Sequence, residues 1–450
     1  MTKNLTVGNP ALLILSFALP LFVGNLFQQF YGMADTLIVG RTIGVAALAA
    51  VGCTGSINFL ILGFIGGFTQ GCSIITSQRF GAGDEEGVRR SFAVTIILCS
   101  TLTVLLTIVG VTTARQLLRL LQTPDEILDA ASSYISVIYS GIFSMVLFNL
   151  CSNMMRAVGD SRTPLYFLMI ACVINVLMDF MFILVFHTGV EGAAIATVIS
   201  QFLSGIFCIP VIAKKIPILR IRAEHFRNIT MADFIAHLRV AFPMGFQMSI
   251  IAIGTVTVQF ALNRLGTIAV AAFTAGQRID QFATMPLASF GAAMVTYSAQ
   301  NYGARKIDRI IKGVFQCCVM SSSFALVMGI IYFIAGNHFA AFFVGAGETE
   351  AIRLTHTYLR TNGSFYIFLA CLFIFRQTLQ GLGNSVTPTI AGILELFMRT
   401  FAAIILSDRI GFLGICFAGP LAYIGACIPL TTTIILVFRK LSRPGSRLEV

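Results

Sequence analysis

The sequence predicts an all-α polytopic membrane protein. Twelve transmembrane helices are expected, in two six-helix lobes related by a pseudo-two-fold axis along the membrane normal and set in a V around a central cavity. Three observations carry this prediction. The chain of 450 residues is 57% hydrophobic and 11% charged, with a mean hydropathy of +0.88, against roughly 25% charged residues in a soluble domain. A soluble core of this apolarity would leave too little polar surface to face water, so the solvent must be lipid. Apolar runs long enough to cross a bilayer recur twelve times. Finally, the two halves of the chain repeat at an offset of about 223 residues.

The runs fall at 11–38, 45–78, 92–114, 130–157, 164–187, 190–213, 237–263, 268–301, 312–337, 355–382, 387–408 and 411–438. Several exceed the ~20 residues that a perpendicular helix needs, which implies tilt or extension beyond the bilayer. Met1 to Gly8 holds one lysine, and no small-residue cleavage pattern follows the first run, so that run is expected to serve as its own insertion signal. It also carries Pro20 inside it and Asp35 towards its far end. A proline in a helix interior removes a backbone hydrogen bond and bends the helix. A carboxylate at membrane depth is costly unless it is protonated, paired or holding a cation.

Loop charge orients the bundle. An even number of spans puts both termini on one side. Arg89-Arg90, Lys214-Lys215 with Arg220, Arg222 and Arg227, Arg305-Lys306 with Arg309 and Lys312, and Arg439-Lys440 with Arg443 and Arg447 all fall there. The bias predicts cytoplasmic termini. It also accounts for the net charge of +11 better than nucleic-acid binding does, because the bases sit in the loops of an otherwise apolar chain. The 11 cysteines show no metal spacing and read as small reduced packing residues.

The longest polar connection divides the chain into an amino-terminal lobe (1–213), a basic linker (214–236) and a carboxy-terminal lobe (237–450). Ala18-Leu-Pro20 returns as Ala241-Phe-Pro243, and Gln78-Arg-Phe-Gly81-Ala82 as Gln300-Asn-Tyr-Gly303-Ala304. Gly159-Asp-Ser161-Arg-Thr-Pro164 returns as Gly383-Asn-Ser385-Val-Thr-Pro388. With six spans per half, both copies insert in the same orientation.

Pro20 with Asp35, Gln78 to Ala82, Arg156-Ala-Val-Gly159-Asp-Ser161, and Asn175 to Asp179 resemble the multidrug and toxic compound extrusion (MATE) family over essentially the whole chain. The resemblance implies antiport of protons or sodium ions against an organic, often cationic, compound. It implies an amino-lobe cation site that maps onto Asp35, Asn149, Asn175, Asp179 and Thr197, and a helix that bends at Pro20.

The residues support that placement in their own right. Asn175 and Asp179 are four apart and share a helix face. Counted from Pro164, Asp179 lies ~22 Å along its span, and Thr197 lies ~10 Å from the outer end of the next, at compatible depths. Asn149 lies deeper. Two carboxylates close together in low dielectric cannot both stay charged without a cation. Such a set suits a proton, or a sodium ion at Asp35, Asn175 and Asp179. Interhelical polar packing is the alternative reading, most evenly balanced for Asn149 and Thr197.

The second half holds Arg278, Asp280, Arg376, Glu395 and Arg399. Glu395 and Arg399 form an (i, i+4) pair of favourable orientation, and their mutual neutralisation is the preferred reading. Arg376 could pair with Asp280 or Glu395, repel cations, or meet an anionic substrate. Gly63, Gly66, Gly67 and Gly71 read as close helix packing. No phosphate-binding loop and no catalytic constellation is present, so neither ATP hydrolysis nor an enzyme is expected, and no cofactor beyond the coupling ion.

The expectation is thus a secondary exporter of a cationic, drug-like compound, acting as a monomer in the cell membrane (the inner one in a bacterium). Flipping of a lipid-linked or amphipathic molecule is the alternative within transport, and a membrane sensor or channel the alternative outside it.

Overall fold

The computed structural model describes residues 3–345 and 347–442. Arg443 and Arg447 of the last basic cluster lie outside them. The helices are α1 (Pro10–Thr42), α2 (Val45–Gly81), α3 (Glu85–Leu120), α4 (Asp125–Ser140), α5 (Ile142–Ala157), α6 (Arg162–Phe180), α7 (Val190–Lys215) and the short α8 (Ala223–Arg227). The second half has α9 (Met231–Asn263), α10 (Thr267–Gly303), α11 (Ile307–Val344), α12 (Thr349–Gly363), α13 (Tyr366–Gly381), α14 (Val386–Phe401), α15 (Ser407–Ile410), α16 (Phe412–Cys416) and α17 (Ala418–Leu441).

Among the described residues, nine of these helices, taken with their continuations, are long and apolar enough to cross a membrane alone. Two more spans are the bent pairs α4–α5 and α12–α13, which turn by 45° and 50°. The twelfth is α10. It is too polar to pass a hydropathy criterion, yet it matches its counterpart α2 in length, 37 residues each. The twelve-helix, two-lobe layout is therefore the one the structure fits.

Local chemistry explains where the helices stop. Asp84 caps α3 by accepting from the Gly87 amide at 2.8 Å. After α2, the Asp84 amide returns to the Arg79 carbonyl with Gly83 at φ +75°, and after α10 the Lys306 amide returns to Asn301 with Arg305 at φ +57°. Both ends satisfy their last carbonyls through a left-handed residue that directly follows the Gln-x-x-Gly-Ala motif. Short π-helical segments, Met181–Val185 and Ala402–Leu406, follow α6 and α14.

By packing, the chain forms two compact units. One contains Pro20–Gly245 with Lys3 and Asn4, and the other contains Leu5–Leu19 with the described residues from Phe246 on. The helices α1 and α9 are unbroken, yet each belongs to both units, and the divisions fall at Pro20 and two residues past Pro243.

In the first unit, α2 has no side chains at Gly67 and Gly71, and the backbone of α9 comes in against both; a Cβ on Gly71 would sit 2.5 Å from the Ala241 Cα. Asp233 at the start of α9 accepts from Arg79, from the Thr230 amide at 3.1 Å and from the Thr230 hydroxyl at 2.8 Å. Buried His237 bonds Ser91 at 2.7 Å, and Ser91 bonds Thr76 at 2.8 Å. Its core is built from Phe68, Val88, Phe92, Leu118, Ile135 and Met154.

The second unit is tied in the same way by the segment that precedes α1. Leu5 donates its amide to Gln300 at 3.0 Å, Lys306 donates to the Thr6 carbonyl at 2.9 Å, and Arg309 donates to the Gly8 carbonyl at 2.9 Å.

Candidate functional site

The site is built on α1, α4, α6 and α7 of the first unit, where α7 packs against both α4 and α6. Gly24 and Phe27 set α1 beside α6: the Leu168 side chain lies 3.5 Å from where a Gly24 Cβ would stand, and the Cys172 thiol reaches the Phe27 carbonyl at 3.7 Å. That approach carries Asp35, two turns further along α1, to the level of Asn175 and Asp179 on α6. Asn175 and Asp179 are fully buried, and Asp35 is 9% exposed. Asp179 stands at the last turn of α6, next to the π-helical segment, a distortion that recurs at functional sites.

Asp35 and Asp179 lie within electrostatic range of each other, and both act on the hydroxyls of Tyr31 and Tyr134. Neither carboxylate has a basic partner among the described residues. Both oxygens of Asp179, both amide atoms of Asn175 and Oδ1 of Asp35 are buried without a hydrogen-bond partner among those residues. Buried polar atoms are almost always paired, because an orphan loses its hydration with nothing in return. Several orphans in one place, mostly oxygens on two like-charged groups, are what a removable proton or a small hard cation would satisfy.

Thr197 is half-buried on α7 and accepts a hydrogen bond from the Tyr31 hydroxyl at 3.0 Å. Asn149 turns its amide to its own helix, donating to the Met145 carbonyl at 3.0 Å. Tyr31 and Tyr134 are the residues that sequence reasoning passed over. A signal for Tyr31 was there, since it lies one turn before Asp35 on the same helix. Tyr134 carried none, because only the fold brings α4 to the other three helices.

The second unit has a separate polar cluster. Buried Arg376 on α13 forms an ion pair with buried Glu395 on α14. The expected Glu395–Arg399 pair is not made, and the Arg399 Nε has no partner among the described residues. The reason is burial. Arg376 has only 5% of its side chain exposed and cannot be left uncompensated, whereas Arg399 is half-buried. Asp280 accepts from the Tyr366 hydroxyl, and its charge is felt at Tyr332, Tyr358 and Tyr423. Arg278 is exposed. Gln380 donates to Gln247 at 2.7 Å, which in turn donates to the Pro388 carbonyl at 3.0 Å.

The family model described as MatE matches residues 20–181 and 243–405, one copy per repeat, starting at Pro20 and Pro243. This chain belongs to the MatE family. Relatives in the family include the probable multidrug resistance protein YpnP of Bacillus subtilis (strain 168), 27% identical over 401 residues covering 88% of each chain. The probable multidrug resistance protein NorM of Thermotoga maritima is 24% identical over 394 residues, 85% of this chain and 82% of the relative. Among solved structures, an outward-facing multidrug resistance MATE transporter superposes with a TM-score of 0.90 at 22% identity, covering 98% of this chain and 99% of the other. A transporter from Pyrococcus furiosus gives 0.88 at 22% identity over 98% and 99%. These likenesses establish a multi-pass MATE transporter fold.

Proposed function

We propose that this MATE protein is a secondary active exporter that antiports an organic, cationic, drug-like compound outward against inward protons or sodium ions. The observation that supports the coupling is the set of orphaned buried atoms on Asp35, Asn175 and Asp179. Two carboxylates in low dielectric repel each other and favour the uptake of a cation, and its binding removes the repulsion. That the compound is drug-like follows the multidrug names of the relatives.

Cation arrival at Asp35 acts on the same helix that holds Pro20 and passes between the two units there. Pro20 leaves one backbone carbonyl of α1 without its helical donor, so the helix is most easily bent at that point. Bending at Pro20 gives the two units freedom to rock and expose a binding site alternately to the two sides. Tyr31, held by Thr197, links α1 to α7 at the ion site. The protein works as a monomer with both termini in the cytoplasm, as the basic loops favour.

The test is efflux of a fluorescent cationic dye from reconstituted vesicles under a proton or a sodium gradient imposed separately. Asp35→Asn and Asp179→Asn are run beside the parent. Gradient-driven efflux lost in both variants supports the reading, and the effective gradient names the ion. Undiminished driven efflux in both variants refutes coupling at this site.

A further inference from the structure

A cavity of about 630 Å³ lies in the first unit, away from the ion site. Its walls include Phe92 and Val104 on α3, Phe143 and Cys151 on α5, Ile212 on α7, and Ile221 in the connection after α7. Twelve residues of α3 separate Phe92 from Val104, so the cavity runs lengthwise along about 18 Å of helix. Its walls carry only two hydroxyls, Ser100 and Thr103, among apolar side chains and two cysteines. The Thr103 hydroxyl is taken by its own helix, donating to the Cys99 carbonyl at 2.7 Å. Ordinary small-molecule sites of this size place several polar groups among apolar walls.

The charge sits instead at one mouth. Lys214 and Lys215 end α7 and are exposed. Exposed Arg220 folds back over that helix end, donating to the carbonyls of Ala213, a wall residue, and Lys214. No carboxylate lies in ion-pair range of these three bases among the described residues, whereas nearby Arg89 is engaged by Glu85 and Arg90 by Asp233. An apolar slot along the helices with unpaired bases at its membrane-surface end complements one kind of molecule: a chain attached to an anionic headgroup.

We infer that this slot binds an anionic phospholipid of the leaflet at the basic end of the helices, with one acyl chain between α3, α5 and α7 and its phosphate against Lys214, Lys215 and Arg220. The site is independent of the transported compound and of the ion site.

The chain contains no tryptophan, so Phe143→Trp places the one indole, excited apart from the tyrosines, at the deep end of the slot. Quenching is measured in nanodiscs containing phosphatidylglycerol or phosphatidylcholine with brominated acyl chains of equal length. Val173→Trp, at a position 61% exposed on α6, reports ordinary surrounding lipid. Phosphatidylglycerol should quench Phe143→Trp at a roughly hundredfold lower mole fraction than phosphatidylcholine, since each of the three bases near the surface contributes about fivefold. That preference should fall to about fivefold when K214Q and K215Q are added, with Arg220 still in place. Equal quenching by the two lipids overturns the inference. So does a preference that K214Q and K215Q leave undiminished, or one shared in full by Val173→Trp.

Discussion

The ion pair between Arg376 and Glu395 yields a sharp prediction, because sequence spacing and structure assign Glu395 different partners. Both side chains are only 5% exposed, so Glu395→Leu strands a guanidinium and Arg376→Met strands a carboxylate, each away from water. Removing one partner of a buried pair costs about 3–5 kcal/mol. Replacing both, as in Arg376→Met with Glu395→Leu, should cost far less than the sum, since no uncompensated charge remains. Arg399→Met removes a half-buried base with no ion pair among the described residues, and should cost no more than about 1 kcal/mol. Unfolding in mixed micelles, followed by circular dichroism against denaturant fraction, gives the four values needed for the cycle. Additive single losses, or an Arg399→Met variant as damaged as Arg376→Met, would refute the assignment.

Other outcomes follow from the same reasoning. Gly71→Ala should lower the yield of monodisperse protein on size-exclusion chromatography, because its Cβ meets the Ala241 backbone at 2.5 Å, and overpacking costs about 1–3 kcal/mol. Gly66→Ala, with nothing within 4 Å, should leave the yield intact. Asp233→Ala should lower thermal stability by about 1–3 kcal/mol through lost charged hydrogen bonds. Asp129→Ala, in a pair exposed by 53% and 81%, should change it by less than about 1 kcal/mol. Tyr31→Phe deletes the donor to Thr197; it should raise several-fold the driving-ion concentration for half-maximal dye efflux while leaving the maximal rate near the parent's, and an unchanged ion dependence would remove Tyr31 from the site.

Much of this architecture was open to reading because bilayers impose length and periodicity on every span. The repeat supports the span that hydropathy leaves weakest: α10 is more polar than the other spans, yet it reads as an apolar run at 268–301, and Gln300 to Ala304 places its end by analogy with Gln78 to Ala82. Asp35, Asn175 and Asp179 could be singled out because charge and amide groups inside apolar runs are costly. Other features left no local trace. The breaks at Gly141 and at Ser364-Phe365 fall inside apolar runs, and the π-helical turns have ordinary composition. The exchange of helix halves at Pro20 and Pro243 depends on contacts about 150 to 300 residues apart. Glu395 shows the limit of spacing arguments: the (i, i+4) neighbour was visible, but the buried competitor on α13 was not.

The central claim, that a cation held at Asp35 and Asp179 is linked to the transported compound, is tested most directly by dye affinity. Fluorescence polarisation of a cationic dye with the purified protein would be measured across pH and sodium concentration. If ion and dye binding oppose each other, linkage requires the parent's affinity to rise as pH rises, or as sodium falls. Asp35→Asn and Asp179→Asn should flatten that dependence while dye binding itself remains measurable. A dependence as steep in both variants as in the parent would contradict the account and place the linked ion elsewhere in the molecule.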